Sequence, residues 1–244
     1  MLFIGEIRID SLICGNQQFR NTPYNPAFFN PYVLKINPAG TVLNSDFFSV
    51  QTGYTPYFSY AEDNTGNKYI YYISTQSFIS KYNSSNVLQT TSSGFNAGYD
   101  DLRFFYSSAI NSLIILNSYE KLFKVNPAGL AVTEILNSSD LSWTNVNDVC
   151  VTPTGNLAFA TDFEDLIFLG NEYISALGGD DGSPMYVETN AALTSYNAIS
   201  ALKTIGRGKE IENIGNRKFM LIDIFGLFLL NGVKQPEGNY IIKY

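Results

Sequence analysis

One pattern recurs along this chain and limits what it can fold into. Tyr32–Asn44 reads YVLKINPAGTVLN, and Lys121–Thr133 reads KLFKVNPAGLAVT. A looser copy, Phe78–Gln89, reads FISKYNSSNVLQ. Each copy is an apolar run, a Lys-x-Asn step, a turn and a second apolar run. The asparagines are Asn37, Asn83 and Asn126, separated by 46 and 43 residues. Short apolar runs broken by Asn, Pro and Gly read as antiparallel strands joined by tight turns.

A repeat of this length holding several strands has the spacing of a β-propeller blade. Each blade touches only its neighbours, so a repeat spread through the chain predicts one all-β domain over residues 1–244. The segment Asn147–Leu177 supplies a complete unit of four strands: Val149–Val151, Leu157–Thr161, Leu166–Leu169 and Tyr173–Leu177. A polar residue ends each second strand nine positions before the turn asparagine: Ser74 before Asn83, Asn117 before Asn126, Asp162 before Asn171. Asp223 is the next counterpart, with Asn231 eight positions on, and Tyr240–Lys243 is a last strand that closes the ring beside an N-terminal one. Leu2–Ile9 and Ser11–Cys14 supply the two strands missing from the first unit. Five turn anchors predict five four-stranded antiparallel blades. Six is the alternative, should the irregular regions each hide strands.

Two regions break the rhythm. Asn171 and Asn231 lie 60 residues apart, which places an insertion within about Gly178–Gly208. Inside it, Asn190–Leu202 spaces Ala, Leu, Tyr and Ile as a short helix or lid would, with Thr189 as its cap. Near the start, Asn21–Pro31 carries three prolines, which suits a surface loop and not a central strand.

Composition excludes several functions. The net charge is −7 and the pI about 4.6, which argues against nucleic acid as a partner. The basic stretch Gly206-Arg207-Gly208-Lys209 lacks phosphate-loop spacing and reads as a solvated turn. There is no histidine, so the commonest general base and transition-metal ligand are missing. Cys14 and Cys150 are far apart and form no metal-spaced pair; Cys150 reads as a packed small hydrophobe. No apolar run approaches membrane-spanning length. The start, MLFIGEIRID, is too short and too charged for a secretory signal, so the expectation is a soluble cytoplasmic product.

The unit Val146–Leu177 resembles the NHL-type and gluconolactonase-like propeller repeat: a short apolar strand, a turn at Gly155-Asn156, a strand ending in Asp162, then Leu166–Leu169. The Lys-x-Asn-Pro-Ala-Gly turns at Lys35 and Lys124 look like the third-to-fourth hairpin of that repeat. The resemblance covers Tyr32–Leu177 and speaks to architecture. It implies a group holding protein-binding scaffolds, glycan binders and metal-dependent lactonases.

Under the lactonase reading a hard cation such as calcium sits on the axis among oxygen ligands. The axial candidates are Asp101, Asp148 and Glu210, with Asp100, Asn147 and Glu212 beside them. The family's ligand set does not map onto this chain position by position. Ser74, Asn117, Asp162 and Asp223 occupy one repeated position and read as turn caps, because each accepts a backbone N–H. Gly178–Ser183 is an acidic glycine-rich loop without a calcium-loop ladder. No nucleophile signature is present. Tyr24, Tyr54, Tyr57 and Trp143 lie between strands or blades, where aromatic faces serve sugars and protein partners or pack between blades.

The leading expectation is a non-enzymatic binding or structural module without cofactor. It would belong to an oligomer or complex, as a component of a phage particle or tail. It would contact other virion proteins or a host-surface glycan, with contacts at Asn21–Pro31 and Gly178–Gly208. The alternatives are a metal-dependent lactonase-like hydrolase and a free lectin with one weak site per blade.

Overall fold

The computed structural model describes residues 2–7, 11–14, 17–20, 30–48, 58–97, 102–117, 121–136, 145–163, 166–169, 172–175, 182–190, 196–202, 205–215, 217–225, 228–230 and 233–244. All regular structure among them is β-strand. The chain divides into two compact units. The first comprises Met1–Tyr99, Phe104–Ser108 and Val125–Val132; the second comprises Asp100–Arg103, Ala109–Lys124 and Thr133–Tyr244.

The strands run in chain order as follows. β1 (Leu2–Ile7), β4 (Asn30–Ile36) and β5 (Val42–Phe47) form one antiparallel sheet, while β2 (Ser11–Cys14) and β3 (Gln17–Arg20) pair only with each other. β6 (Phe58–Glu62), β7 (Lys68–Ile73), β8 (Ser77–Tyr82) and β9 (Leu88–Thr91) form an unbroken meander. So do β10 (Leu102–Ser107), β11 (Ser112–Asn117), β12 (Leu122–Val125) and β13 (Val132–Leu136). The next sheet has the order β14-β15-β18-β19, from Asn145–Val151, Leu157–Phe163, Ser183–Thr189 and Tyr196–Ala201; β16 (Leu166–Leu169) and β17 (Glu172–Ser175) stand apart as a hairpin. The last sheet is β20-β21-β24, from Gly206–Ile214, Arg217–Ile224 and Gly238–Lys243, and β22 (Phe228–Leu230) with β23 (Val233–Gln235) is its separate hairpin.

The turn asparagines act as the repeat predicts. Asn37 Oδ1 accepts the Thr41 N–H at 2.8 Å, Asn83 Oδ1 accepts the Ser85 and Val87 N–H groups at 3.0 and 2.9 Å, and Asn126 Oδ1 accepts the Ala128 N–H at 2.9 Å. Each side chain thus closes the turn after β4, β8 or β12, a role a short amide performs well. Within these turns the left-handed residues are Gly40, Asn86 and Leu130. Leucine is a poor choice for that conformation, and Leu130 is held there while buried at 2% exposure. Asn117 caps the turn to β12 in the same way, accepting the Lys121 N–H at 2.8 Å.

Burial follows position in the sheet. The inner strands β7, β11, β15 and β18 are buried at every residue, as strands covered on both faces are. In the first unit Val33, Phe48, Tyr60, Ile70, Tyr72 and Tyr82 pack together, with Phe48 and Tyr82 edge to face at 4.8 Å. In the second, Cys150, Ala158, Ala160, Tyr186, Ile211, Met220, Ile222 and Ile224 form the core. Burial pushes the Cys150 thiol up to about 12, so it packs and does not react. Gly208 lets β20 lie directly on β15: a Cβ there would come within 2.8 Å of the Thr161 carbonyl oxygen.

Several expectations are corrected. The helix at Asn190–Leu202 is not present in the described part; Tyr196–Ala201 is β19, paired along β18. A fully buried β18 needs hydrogen-bond partners on both edges, and β15 supplies only one. The third and fourth strands of the fourth sheet are β18 and β19, not Leu166–Leu169 and Tyr173–Leu177; the described residues of those two segments lie in β16 and β17, which pair with each other. Asn171 and Asn231 lie outside the described residues. Ser11–Cys14 adds no strand to the first sheet.

Candidate functional site

Asp148 sits on β14, and Glu210 and Glu212 sit on β20, the strand that packs against β14 within the second unit. Asp148 is 3% exposed. Arg103 reaches it with one guanidinium nitrogen at 2.5 Å and Glu212 with the other at 2.9 Å. The second Asp148 oxygen accepts the Val149 N–H at 2.8 Å, and the Arg-paired oxygen also accepts the Ile211 N–H at 2.8 Å. Burial raises the Asp148 carboxyl, against the pull of the Ile211 N–H, Arg103 and the Val149 N–H. Burial works to lower the Arg103 guanidinium, but Asp148 and Glu212 outweigh it and raise it. Both Asp148 oxygens are engaged, and the positive charge beside them comes from the protein.

Glu210 is exposed on β20 opposite Leu221. Asn147 donates to Asp162 and to the Gly208 carbonyl, the latter at 2.6 Å, and so ties β14 to β15 and β20. Asp101 and Asp100 lie outside the described residues, as do Tyr24, Tyr54, Tyr57 and Trp143. Most of the Asn21–Pro31 loop is outside them too, apart from Asn30 and Pro31, which open β4. Of the Gly178–Ser183 loop, Gly182 and Ser183 are described. Among the described residues, no group of three or more Cys, Asp, Glu or His could hold a metal ion.

A second arrangement appears once in each unit and escaped the sequence reading. Tyr60 donates its hydroxyl to Glu62 at 2.8 Å, and Lys35 from β4 pairs with the same oxygen at 2.5 Å. Tyr186 donates to Glu188 at 2.6 Å, and Lys218 from β21 pairs with that oxygen at 2.5 Å. Asn156 adds a third donor to Glu188 at 2.8 Å. Burial works to raise both glutamates, but these donors outweigh it and hold both below the usual carboxylate range. The signal in the sequence is Tyr-x-Glu, two residues on one face of a strand, at Tyr60–Glu62 and Tyr186–Glu188. Its lysine is remote in sequence, so the motif alone does not reveal the clasp.

A further ion pair is more deeply buried. Lys68 meets Asp46 at 2.9 Å with side-chain exposures of 6% and 4%, and the Asn86 amide donates to Asp46 at 2.7 Å. Every acid described so far, Glu210 apart, is committed to holding strands or sheets together.

No protein-family model matches the chain, and no curated protein matches it. Its backbone is similar to the N-terminal domain of Nup159, at 12% identity and TM-score 0.40, over 77% of this chain and 44% of that one. It is similar to Sqt1 of Saccharomyces cerevisiae at 11% identity and TM-score 0.45, over 92% and 62%. It is also similar to the tail fibre of Staphylococcus aureus phage P68, at 11% identity and TM-score 0.32, over 87% and 44%. The chain spans less than two thirds of the length of each. Likenesses this distant do not say what the chain binds. No helix among the described residues is long and apolar enough to cross a membrane.

Proposed function

We propose that this chain is a non-enzymatic binding module: a single five-bladed β-propeller of the NHL or gluconolactonase-like kind, whose blades are the five larger sheets. The observation that carries the reading is where the three small hairpins occur. β2–β3 enters between the paired strands β1 and β4, β16–β17 between β15 and β18, and β22–β23 between β21 and β24. Each interrupts the same type of connection and adds no strand to the sheet it leaves.

In a propeller, equivalent connections leave the ring on one face, so the hairpins would gather there. Their sequences are apolar: Leu12-Ile13-Cys14, Leu166-Ile167-Phe168-Leu169 and Phe228-Leu229-Leu230. A lone two-stranded hairpin is marginal in water, so apolar hairpins suit a surface that another protein covers. Proteins of a phage particle or tail are the partners proposed. A host-surface glycan is the lesser option.

The test is to look for the chain by mass spectrometry in density-banded particles from its source. Comparison is with particles made when Leu166–Ser175 is replaced by a two-residue turn. Presence in wild-type particles and loss in the variant is the expected result; absence from particles sinks the assembly role. Chelation addresses the hydrolase alternative: loss of fold or of a screened lactonase activity on removing divalent ions would favour it.

A further inference from the structure

The β20-β21-β24 sheet has three strands, whereas three of its counterparts have four. With the hairpins set aside, β20, β21 and β24 fill the first three places of the four-strand order, and β24 stands where a third strand stands elsewhere. Tyr244 exchanges both backbone hydrogen bonds with Lys218 on the β21 side. Antiparallel pairing alternates, so Asn239, Ile241 and Lys243 direct their backbone N–H and C=O groups away from β21. Among the described residues no strand pairs with that side of β24.

The side chains match this. Asn239, Ile241 and Lys243 are exposed, and Ile241, at 71%, is the most exposed large hydrophobic residue among those described. It continues a cross-strand row through Leu221, which is half-buried. On the opposite face Tyr240, Ile242 and Tyr244 pack against the core of the second unit.

We propose that β24 pairs antiparallel with β24 of a second copy of this chain, across a two-fold axis at Ile241. The sequence of the strand is self-complementary in that register. Ile241 meets Ile241, and Asn239 meets Lys243 on both sides of the axis. All three positions turn their backbone groups outward, so the pairing forms roughly six hydrogen bonds. It also sets the row Leu221–Ile241 against its own copy, extending an apolar stripe across a six-stranded sheet. A shift that placed the axis at Lys243 would oppose two lysines, so charge disfavours it. This inference rests on the last sheet alone and not on the propeller reading. An isologous contact of this kind closes after two copies.

The experiment is light scattering and sedimentation of the full chain over a concentration series. The expected result is a mass rising from one chain to two. Ile241→Pro is the decisive variant. Its lost N–H faces outward, so the β21–β24 ladder keeps every bond while the central pair of the dimer is blocked. It is expected to match the wild type in circular dichroism and to stay monomeric. Ile241→Lys sets like charges on the axis and is expected to do the same, which covers the case of a misfolded proline variant. In a Cys14→Ser background, Ile241→Cys is expected to give a disulfide-linked dimer on oxidation, because the residue meets itself about 5.5 Å away between Cα atoms. A chain that stays monomeric throughout the series, or a dimer unmoved by both Ile241→Pro and Ile241→Lys, overturns the proposal.

Discussion

The β6–β9 meander and the β14-β15-β18-β19 sheet have the same strand order, and both bury their second strand completely. They differ in one connection. Ile73 and Ser77 are paired across a three-residue link, whereas Phe163 and Ser183, equally paired, are joined through the β16–β17 hairpin. Sheet and insertion are separable: the ladder from Phe163↔Ser183 to Leu157↔Thr189 runs without a bulge despite what hangs from its end. The two sheets also differ in how they hold buried charge. The meander holds Lys68 against Asp46 almost out of water, while Lys218 on Glu188 is 25% exposed.

That second difference sets the largest expected effect. Lys68→Met leaves Asp46 buried with the Asn86 amide for support, and the expected loss is about 3–5 kcal/mol by chemical denaturation. Adding Asp46→Leu should restore most of it. Lys218→Met is expected to lose only about 1 kcal/mol, because Glu188 keeps Tyr186 and Asn156 as donors and Lys218 is the more exposed lysine. Equal losses would erase the distinction between the two regions.

Asp148→Ala comes next, at about 2–3 kcal/mol, since it strips Arg103 of its buried partner and orphans the Ile211 N–H. If Asp148 instead served a bound cation, the variant would be as stable as wild type in chelator and less stable only with metal. Denaturation in both conditions separates the cases.

A smaller, pH-dependent effect belongs to the meander. Asp63 accepts from Thr65, Asn67 and Tyr69. Burial works to raise it, but these donors outweigh burial and lower it from 3.8 to about 2. The unfolded chain therefore takes up the proton first. The stabilisation is whole above 3.8 and drains as pH falls towards about 2. The site is open to solvent, so Asp63→Asn is expected to remove about 1 kcal/mol at neutral pH and little at pH 2. A loss that is the same at both pH values would mean the carboxylate charge is not what matters.

The smallest effect tests the separability of sheet and insertion. Replacing residues 164–182 with Gly-Asn should leave the β15–β18 ladder protected in hydrogen exchange and shift stability by less than about 1 kcal/mol. Loss of protection along β15 would make the hairpin part of the sheet's support.

This comparison also explains what was legible in the sequence. In the meander the strands are contiguous, so Lys81-Tyr82-Asn83 falls at a real sheet turn and the repeat reads correctly. In the fourth sheet the hairpin supplies strand-like Leu166–Leu169 and Gly170-Asn171 at the expected distance after Asp162, a local imitation of the repeat. Pattern alone does not separate a hairpin that joins a sheet from one that stands beside it, since both have the same alternation and turn chemistry. The Asn117 cap was legible because an asparagine acts on its own backbone a few residues away; of the residues read the same way, Asp162 accepts from the Asn147 amide and Asp223 pairs with Lys209 at 2.7 Å. Arg103, Lys35 and Lys218 were not legible, because each meets its acid across a sequence gap that the fold alone closes.

The interrupted connection has a consequence for chain entropy. Lengthening the link between two paired strands from three residues to nineteen raises the closure penalty by only about 1.5 kcal/mol, because that penalty grows with the logarithm of loop length. The hairpin reduces even that, since its own pairing, Leu166 to Ser175, draws the ends of the excursion together. A link that folds back on itself behaves as a shorter one. At these three connections the chain can lengthen and change its residues with little penalty to the sheets beneath.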